Sequence, residues 1–181
     1  MLVSVGEWAE FGGEITALRY IGKVYDDDDV DECDRVALAI EASVEGKVVF
    51  KQSHFECELG DGSLPVGVEM AVLKLRERQE GFITIFSDEF LHAGRACPVG
   101  ITHPAIAGRA AGVPVEFRVV YKGMLSTFYY RQTGLEDKIS ASRERKEQGN
   151  RLFAAGVFKA ALQKYQDAFT VSSFWNPWLV C

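Results

Sequence analysis

The feature that most restricts the fold is a change of pattern near residue 130, because apolar residues follow one spacing before it and another after it. Between Gly13 and Gly123 they form short runs separated by glycine, proline and acidic clusters, which favours strands over long helices. From Leu135 to Thr170 apolar and charged residues alternate with a period of about 3.6 residues, broken once at Gly156, which predicts two antiparallel helices. We therefore expect an α+β chain in which a sheet-rich region precedes a helical hairpin.

Within the sheet-rich region, one stretch has the composition of a helix and the others have that of strands. The helix is predicted over 67–79, where Val68, Val72 and Leu75 recur at helical spacing. Apolar residues with β-branched and aromatic neighbours mark the remaining elements. The predicted strands are 15–20, 36–42, 48–51, 54–59, 81–86 and 114–121.

Composition restricts the classes of function. The chain has 181 residues, of which 48% are hydrophobic, and a formal charge of -6, so it can bury a core but has no basic face for phosphate backbones. No apolar run approaches the ~18 to 20 residues that span a bilayer. The four cysteines are scattered without a CxxC pair, which predicts neither a disulfide framework nor a metal site. We expect a cytoplasmic protein without a cofactor and with neither nucleic acid nor membrane as partner.

The segment KEQGNRLFAAGVFKAALQKYQDAF resembles helices A and B of a tetratricopeptide repeat. The resemblance implies that the small residues Gly149 and Ala161 let the two helices approach closely, while aromatic side chains fill the seam between them. The aromatic residues expected in the seam are Phe153, Phe158 and Tyr165. The residues at the spacing of the repeat are Gly149, Phe153, Gly156, Phe158, Ala161, Tyr165 and Ala168.

Five motifs follow one another along the preceding region: GEITALRYIG, VALAIEASVEGKVVF, FECELGDGSLPVGVEMAVLKL, FITIFSDEF and VPVEFRVVYKG. In this serial order they resemble the motifs of an FKBP-type immunophilin domain. The resemblance implies a twisted antiparallel sheet curled over one helix, followed by the first tetratricopeptide helices. The implied division is a linker-like segment at 1–12, an FKBP-like domain at 13–123, a linker at 124–138, a partial repeat domain at 139–170 and an irregular tail at 171–181.

The family resemblance implies an aromatic-lined pocket that takes in a proline ring and favours the twisted form of its peptide bond. Phe55 and Phe117 match aromatic walls of this pocket. The floor, usually a tryptophan, is Val68, and the loop tyrosine aligns with His92. A further tyrosine of active members falls on Ala39. The candidate pocket comprises Phe55, Leu64, Pro65, Val68, His92 and Phe117.

These substitutions predict weak or absent isomerase activity, because each aromatic ring buries ~150 to 250 Å² that a small side chain does not. The chain would then be a degenerate FKBP-type domain that serves as an interaction module in chaperone complexes. The alternative is an active peptidyl-prolyl cis-trans isomerase that acts on proline-containing protein segments. A further interpretation is that Phe55 and Phe117 are ordinary core residues of the sheet.

Lys146 and Asn150 match the lysine and asparagine with which tetratricopeptide domains grip the C-terminal carboxylate of heat-shock chaperones. Their i, i+4 spacing puts an ammonium and an amide on one helix face. The resemblance implies such a C-terminal peptide as partner if the repeat domain is complete. The alternative is that the surrounding charges form a solvated helix face. Because about three repeats are needed to bury a continuous core, we also expect a fragment or a truncated form.

Overall fold

The computed structural model describes residues 9–10, 15–21, 34–75, 79–93, 97–126 and 134–173. None of the helices in these ranges is long and apolar enough to cross a membrane. The predicted class, an antiparallel sheet with a helix followed by a helical hairpin, is confirmed. The elements are β1 (Ala9–Glu10), β2 (Ile15–Ile21), β3 (Arg35–Val44), β4 (Lys47–Glu58), α1 (Val66–Val72), β5 (Glu80–Ile85), a 3-10 helix (Asp88–Leu91), α2 (Pro104–Ala107), β6 (Val115–Ser126), α3 (Leu135–Ala154) and α4 (Phe158–Ser173).

The strands among the described residues form one six-stranded antiparallel sheet in the order β1-β2-β5-β6-β3-β4. Although β6 is the last strand in the chain, it lies between β5 and β3, with Phe117 opposite both Ile83 and Ala42. Every second residue of β3 from Val36 to Val44 is buried, as expected for a strand with one face on the core. This buried face positions the aromatic side chains considered below.

Helix α1 covers the buried face of the sheet, and all seven of its residues are buried. It is shorter than the predicted 67–79. After Val72 the backbone N–H groups of Lys74 and Leu75 donate to carbonyls three residues back, which tightens the last turn and ends the α-helical spacing. Leu75 still reaches the core, so the apolar spacing extended past the end of the helix.

The two strands predicted at 48–51 and 54–59 are one strand, β4. Gln52 and Ser53, which lie between the two predicted strands, are polar and exposed. In an edge strand such residues face solvent while the backbone keeps pairing, here with Gln52 opposite Ile40 and Phe55 opposite Leu38. An irregularity in register between these two pairs accommodates one additional residue of β4.

The helical hairpin, which we define as α3, α4 and the turn between them, begins at Leu135, as the helical spacing predicts, and ends at Ser173, beyond the predicted Thr170. Strand β6 continues to Ser126, because its end pairs with β3, and α3 begins at Leu135, so the stretch 124–138 contains ordered secondary structure. Strand β1 likewise falls within 1–12, and α4 continues to Ser173 inside the predicted tail. The rest of that tail lies outside the described residues. The division into domains stays a prediction.

The turn of the hairpin is a Schellman motif. Val157 N–H donates to the carbonyl of Leu152 at 2.9 Å, and Gly156 N–H donates to that of Phe153 at 3.0 Å. Gly156 has a φ of 78°, which residues with a side chain adopt at a cost. Val157 and Leu152 are both buried, which supplies the apolar contact that accompanies this motif. The sequence signal at Gly156 therefore located the turn correctly.

Candidate functional site

The candidate pocket residues differ in exposure. Leu64, Val68 and Phe117 are 0%, 0% and 1% exposed and belong to the core beneath the sheet. Phe55 is half-buried against that core, and His92 is half-buried after the 3-10 helix. Phe55 and His92 therefore keep part of their surface exposed, whereas the floor and closing-strand positions offer a proline ring almost no surface.

Pro65 forms the start of α1. It is buried, and its carbonyl accepts hydrogen bonds from the backbone N–H groups of Val68 at 2.9 Å and Glu69 at 3.0 Å. A proline is tolerated before the first turn because no donor is needed there. Val66 N–H donates to the carbonyl of His92 at 2.9 Å, which ties the start of α1 to the segment after the 3-10 helix.

Two aromatic residues lie on the buried face of the sheet, on either side of Ala42. Ala42 pairs with Phe50 on one neighbouring strand and with Phe117 on the other, and paired residues share a face. The half-buried ring of Phe50 makes an edge-to-face contact with His103, with 6.5 Å between ring centroids. Sequence reasoning missed both Phe50 and His103. The available signal was Pro104, because a proline in the first turn marks the residue before it as the helix start.

The interpretation of Ala39 as a pocket position is wrong. Leu38 and Ile40, its neighbours in β3, are buried on the side of Phe117, whereas Ala39 is partly exposed and pairs with Val120 on the opposite face. A slip of one residue in alignment moves a strand side chain to the other face of the sheet. The residues that face the core at this place are aliphatic.

The chemistry that His92 offers at its half-buried position is hydrogen bonding. Burial lowers the pKa of His92 from its ordinary value of 6.5, and the carboxylates of Asp88 and Glu89 partly oppose that shift. A neutral imidazole at pH 7 can donate one N–H to a carbonyl. Nδ1 of His103 is buried without a hydrogen-bond partner among the described residues. Across all the described residues, no group of three or more His, Cys, Asp or Glu side chains is placed to hold a metal ion.

Arg109 holds the segments around this site together. Its Nε donates to the carbonyl of Val113 at 2.9 Å and its Nη1 to that of Ile106 at 2.7 Å. The same guanidinium forms an ion pair with Asp88 in the 3-10 helix. Arg109 thus links two carbonyls within the connection between β5 and β6, and it also links this connection to the 3-10 helix that precedes His92.

The hairpin rests against the sheet region through the inward face of α3. Arg145, Gln148 and Leu152 follow at helical spacing and are all buried. Arg145 Nη2 donates to the carbonyl of Leu59 at 3.0 Å. Gly60 has a φ of 85°, and a Cβ there would lie 2.7 Å from Nη2 of Arg145, so both the backbone and the space require glycine. The turn between β4 and α1 is thus shaped by a hairpin residue.

A second contact joins α4 to α1 by buried charges. Lys164 forms an ion pair with Glu69, and their side chains are 1% and 5% exposed. Asp167 lies 3.7 Å from the same ammonium. Glu69 also accepts hydrogen bonds from the backbone N–H groups of Gly60 at 3.2 Å and Gly62 at 3.4 Å. Burial raises the pKa of Glu69, and Lys164 opposes this rise.

The clamp candidates Lys146 and Asn150 are both exposed on α3. Tyr165 donates its hydroxyl hydrogen to Oδ1 of Asn150 at 2.9 Å, which leaves the amide N–H₂ of Asn150 able to donate. Lys146 also lines a groove of about 520 Å³ on the hairpin, which Asn150 does not line. The lining residues are Leu135, Lys138, Ile139, Ser142, Arg143, Lys146 and Ser172.

The predicted seam of the hairpin is only partly confirmed. The close approach at Gly149 is confirmed, because a Cβ there would lie 2.6 Å from Cε1 of Tyr165, and Ala161 is fully buried. Phe153 and Phe158 are each 57% exposed, so the prediction that they fill the seam is wrong. They flank the turn at Gly156 and pack edge to face on each other, because the turn brings them outside the helix-helix contact.

Comparisons with known proteins establish the fold. No family model and no curated protein matches the sequence. The crystal structure of residues 1–211 of CG17282 matches with a TM-score of 0.64 and 14% identity, over 97% of this chain and 80% of that one. A multi-domain immunophilin from Arabidopsis thaliana matches with a TM-score of 0.51 and 14% identity, over 93% of this chain and 65% of that one. At this identity the matches show an immunophilin-like fold alone.

Proposed function

From an immunophilin-like fold in which the pocket floor is closed, we propose a degenerate FKBP-type domain joined to the first tetratricopeptide helices of a co-chaperone. It acts as a protein-protein interaction module in cytoplasmic chaperone complexes. The observation that carries this proposal is the burial of Leu64, Val68 and Phe117, each at most 1% exposed. Catalysis by desolvation needs a ring-sized apolar recess, and these positions are occupied by the core of the protein itself.

The partner proposed for the hairpin is the C-terminal peptide of a heat-shock chaperone, provided that further repeats complete the clamp. Lys146 is exposed on α3, and the Asn150 amide is oriented by Tyr165. A terminal carboxylate could take a charge-assisted hydrogen bond from each of the two side chains. Their exposure supports this role, since within the described part of the chain no hydrogen bond or ion pair joins either side chain to the sheet region.

The second candidate function is an active peptidyl-prolyl cis-trans isomerase. The observation that favours it is the half-buried surface of Phe50 and Phe55, with the ring of His103 edge to face on Phe50. A substrate proline would bind more shallowly there, against rings that the interior has not covered. The neutral imidazole of His92 would then donate to the substrate carbonyl.

An isomerisation assay on the full chain tests the two functions against each other. The change is Phe55→Leu, and the matched control is Phe82→Leu, since Phe82 lies on the partly exposed face of β5. We expect wild type and both variants to give the uncatalysed rate, and a macrolide FKBP ligand to leave the melting temperature unchanged. Catalysis that Phe55→Leu abolishes and Phe82→Leu preserves would establish the enzyme instead.

Peptide binding tests the hairpin separately. The probe is a fluorescent peptide that ends in acidic residues with a free carboxylate, compared with the same peptide amidated at its C-terminus. We expect weak binding that amidation or Lys146→Ala removes and that the exposed control Lys122→Ala leaves unchanged. Equal binding of the free and amidated peptides would contradict a carboxylate clamp.

A further inference from the structure

Among the residues that the structure describes, hydrogen bonds join the hairpin to the sheet region at three places. Each place lies on a segment that frames the candidate pocket. The first is the turn between β4 and α1, which leads into Leu64 and Pro65. The second is α1, which carries Val68. The third is the 3-10 helix that precedes His92, where a carboxylate accepts a backbone hydrogen bond at 3.2 Å from the start of α4. The contacting pairs are Arg145 with Leu59, Lys164 with Glu69, and Lys159 with Glu89.

The carboxylate of Glu69 links the charge of Lys164 to the backbone of the turn between β4 and α1. The carboxylate neighbours Val68 in sequence, and it receives two N–H groups from the turn before the helix, those of Gly60 and Gly62. Its counter-charge comes from Lys164, 95 residues later in the chain. A buried carboxylate without a counter-charge is unfavourable, so the turn and the carboxylate would rearrange or take up a proton if Lys164 were neutral.

We propose that Lys164 is a positioning residue of the candidate pocket, which acts through Glu69 to fix the turn between β4 and α1. Arg145 assists by holding the carbonyl of Leu59 in the same turn. The shape of the pocket opening therefore depends on the hairpin, and a sheet region without it lacks part of its own support. This holds whether or not a proline ever enters the pocket.

Amide exchange and NMR of the full chain test this proposal. The change is Lys164→Met, which keeps the length of the side chain and removes the charge, and the control is Lys74→Met at an exposed lysine just after α1. We expect Lys164→Met to weaken exchange protection of the Gly60 and Gly62 amides by about tenfold or more, and that of the Val66 amide in the same direction. Lys74→Met should leave all three within about twofold of wild type.

Rescue separates positioning from mere packing. Glu69→Gln keeps an oxygen that accepts from Gly60 and Gly62 but removes the unpaired charge, so Glu69→Gln/Lys164→Met should regain protection to within about threefold of wild type. If Lys164→Met does not fold, the test rests on Glu69→Gln alone. In that variant the amide chemical shifts of Gly60 and Gly62 must change, because a neutral acceptor replaces a charged one. Unchanged exchange in Lys164→Met, additive losses in the double variant, or unmoved glycine signals in Glu69→Gln would each overturn the proposal.

Discussion

Replacing Gly149 by alanine tests the close approach of α3 and α4. A Cβ at this position would lie 2.6, 2.8 and 3.2 Å from three ring carbons of Tyr165, whereas carbon atoms in contact are ordinarily about 3.5 to 4.0 Å apart. The ring must therefore move by about an ångström. Such a movement also weakens the hydrogen bond from the Tyr165 hydroxyl to Asn150, now 2.9 Å long.

The expected magnitude combines three effects. Overpacking costs about 1 to 3 kcal/mol, and the weakened hydrogen bond costs about 1 kcal/mol more. Alanine is preferred to glycine inside a helix by about 1 kcal/mol, which offsets part of the loss. The free energy of unfolding should therefore fall by about 1 to 3 kcal/mol in Gly149→Ala.

Urea unfolding followed by circular dichroism measures this change. The control is Gly156→Ala, where a Cβ meets nothing within 4 Å but φ is 78°, so about 1 kcal/mol is lost through backbone strain alone. In a Tyr165→Ala background the clash at Gly149 disappears, and Gly149→Ala should become neutral or stabilising. The reasoning is refuted if Gly149→Ala is as stable as wild type while Tyr165 is present.

Three further predictions concern single side chains. Burial raises the pKa of the Cys97 thiol to about 11, so at pH 8 only about one molecule in a thousand carries the thiolate. Iodoacetamide should therefore alkylate Cys97 far more slowly in the native protein than in the denatured protein, as mass spectrometry would measure. Burial lowers the pKa of His92, so between its native pKa and 6.5 the unfolded chain binds more protons than the folded chain. The free energy of unfolding should therefore fall as the pH drops through this window, and it should fall less in His92→Gln. Thermal melts at several pH values measure the difference. Val68→Trp restores the usual floor residue at a side chain that is 0% exposed. The variant should lower the free energy of unfolding by about 1 to 3 kcal/mol through overpacking and should not create isomerase activity. A variant that is both stable and active would contradict this prediction.

The elements that the sequence predicted well are those whose pattern is local. Alternating apolar residues in β3 and β6 are visible without a structure, and so is the break at Gly156. The errors arose where a local pattern was ambiguous. The prediction divided β4 into two strands at Gln52 and Ser53, which are polar, and the face of Ala39 could not be assigned without the register of its neighbours.

The docking of the hairpin could not be predicted, because it depends on pairs that are distant in sequence. Charged residues are rarely buried, so nothing in the sequence marks Arg145 or Lys164 as a buried contact. Their partners, Leu59 and Glu69, lie 86 and 95 positions earlier in the chain, and no periodicity relates such positions. The one local signal was the helical spacing of Arg145 with Leu152, which places both on a single face of α3.

The position of β6 in the middle of the sheet sets an order of events during synthesis. Strand β3 pairs with β6 only after β6 has been synthesised, because Ala42 pairs with Phe117 and Val36 pairs with Met124. Until then the β3–β4 hairpin and the pair of β2 with β5 are separate pieces, each with an open edge that can pair with another chain. Pairings over such long separations close slowly. A nascent chain that stalls on the ribosome before residue 115 is therefore the form of this protein most exposed to aggregation, and the one for which protection by a chaperone would matter most.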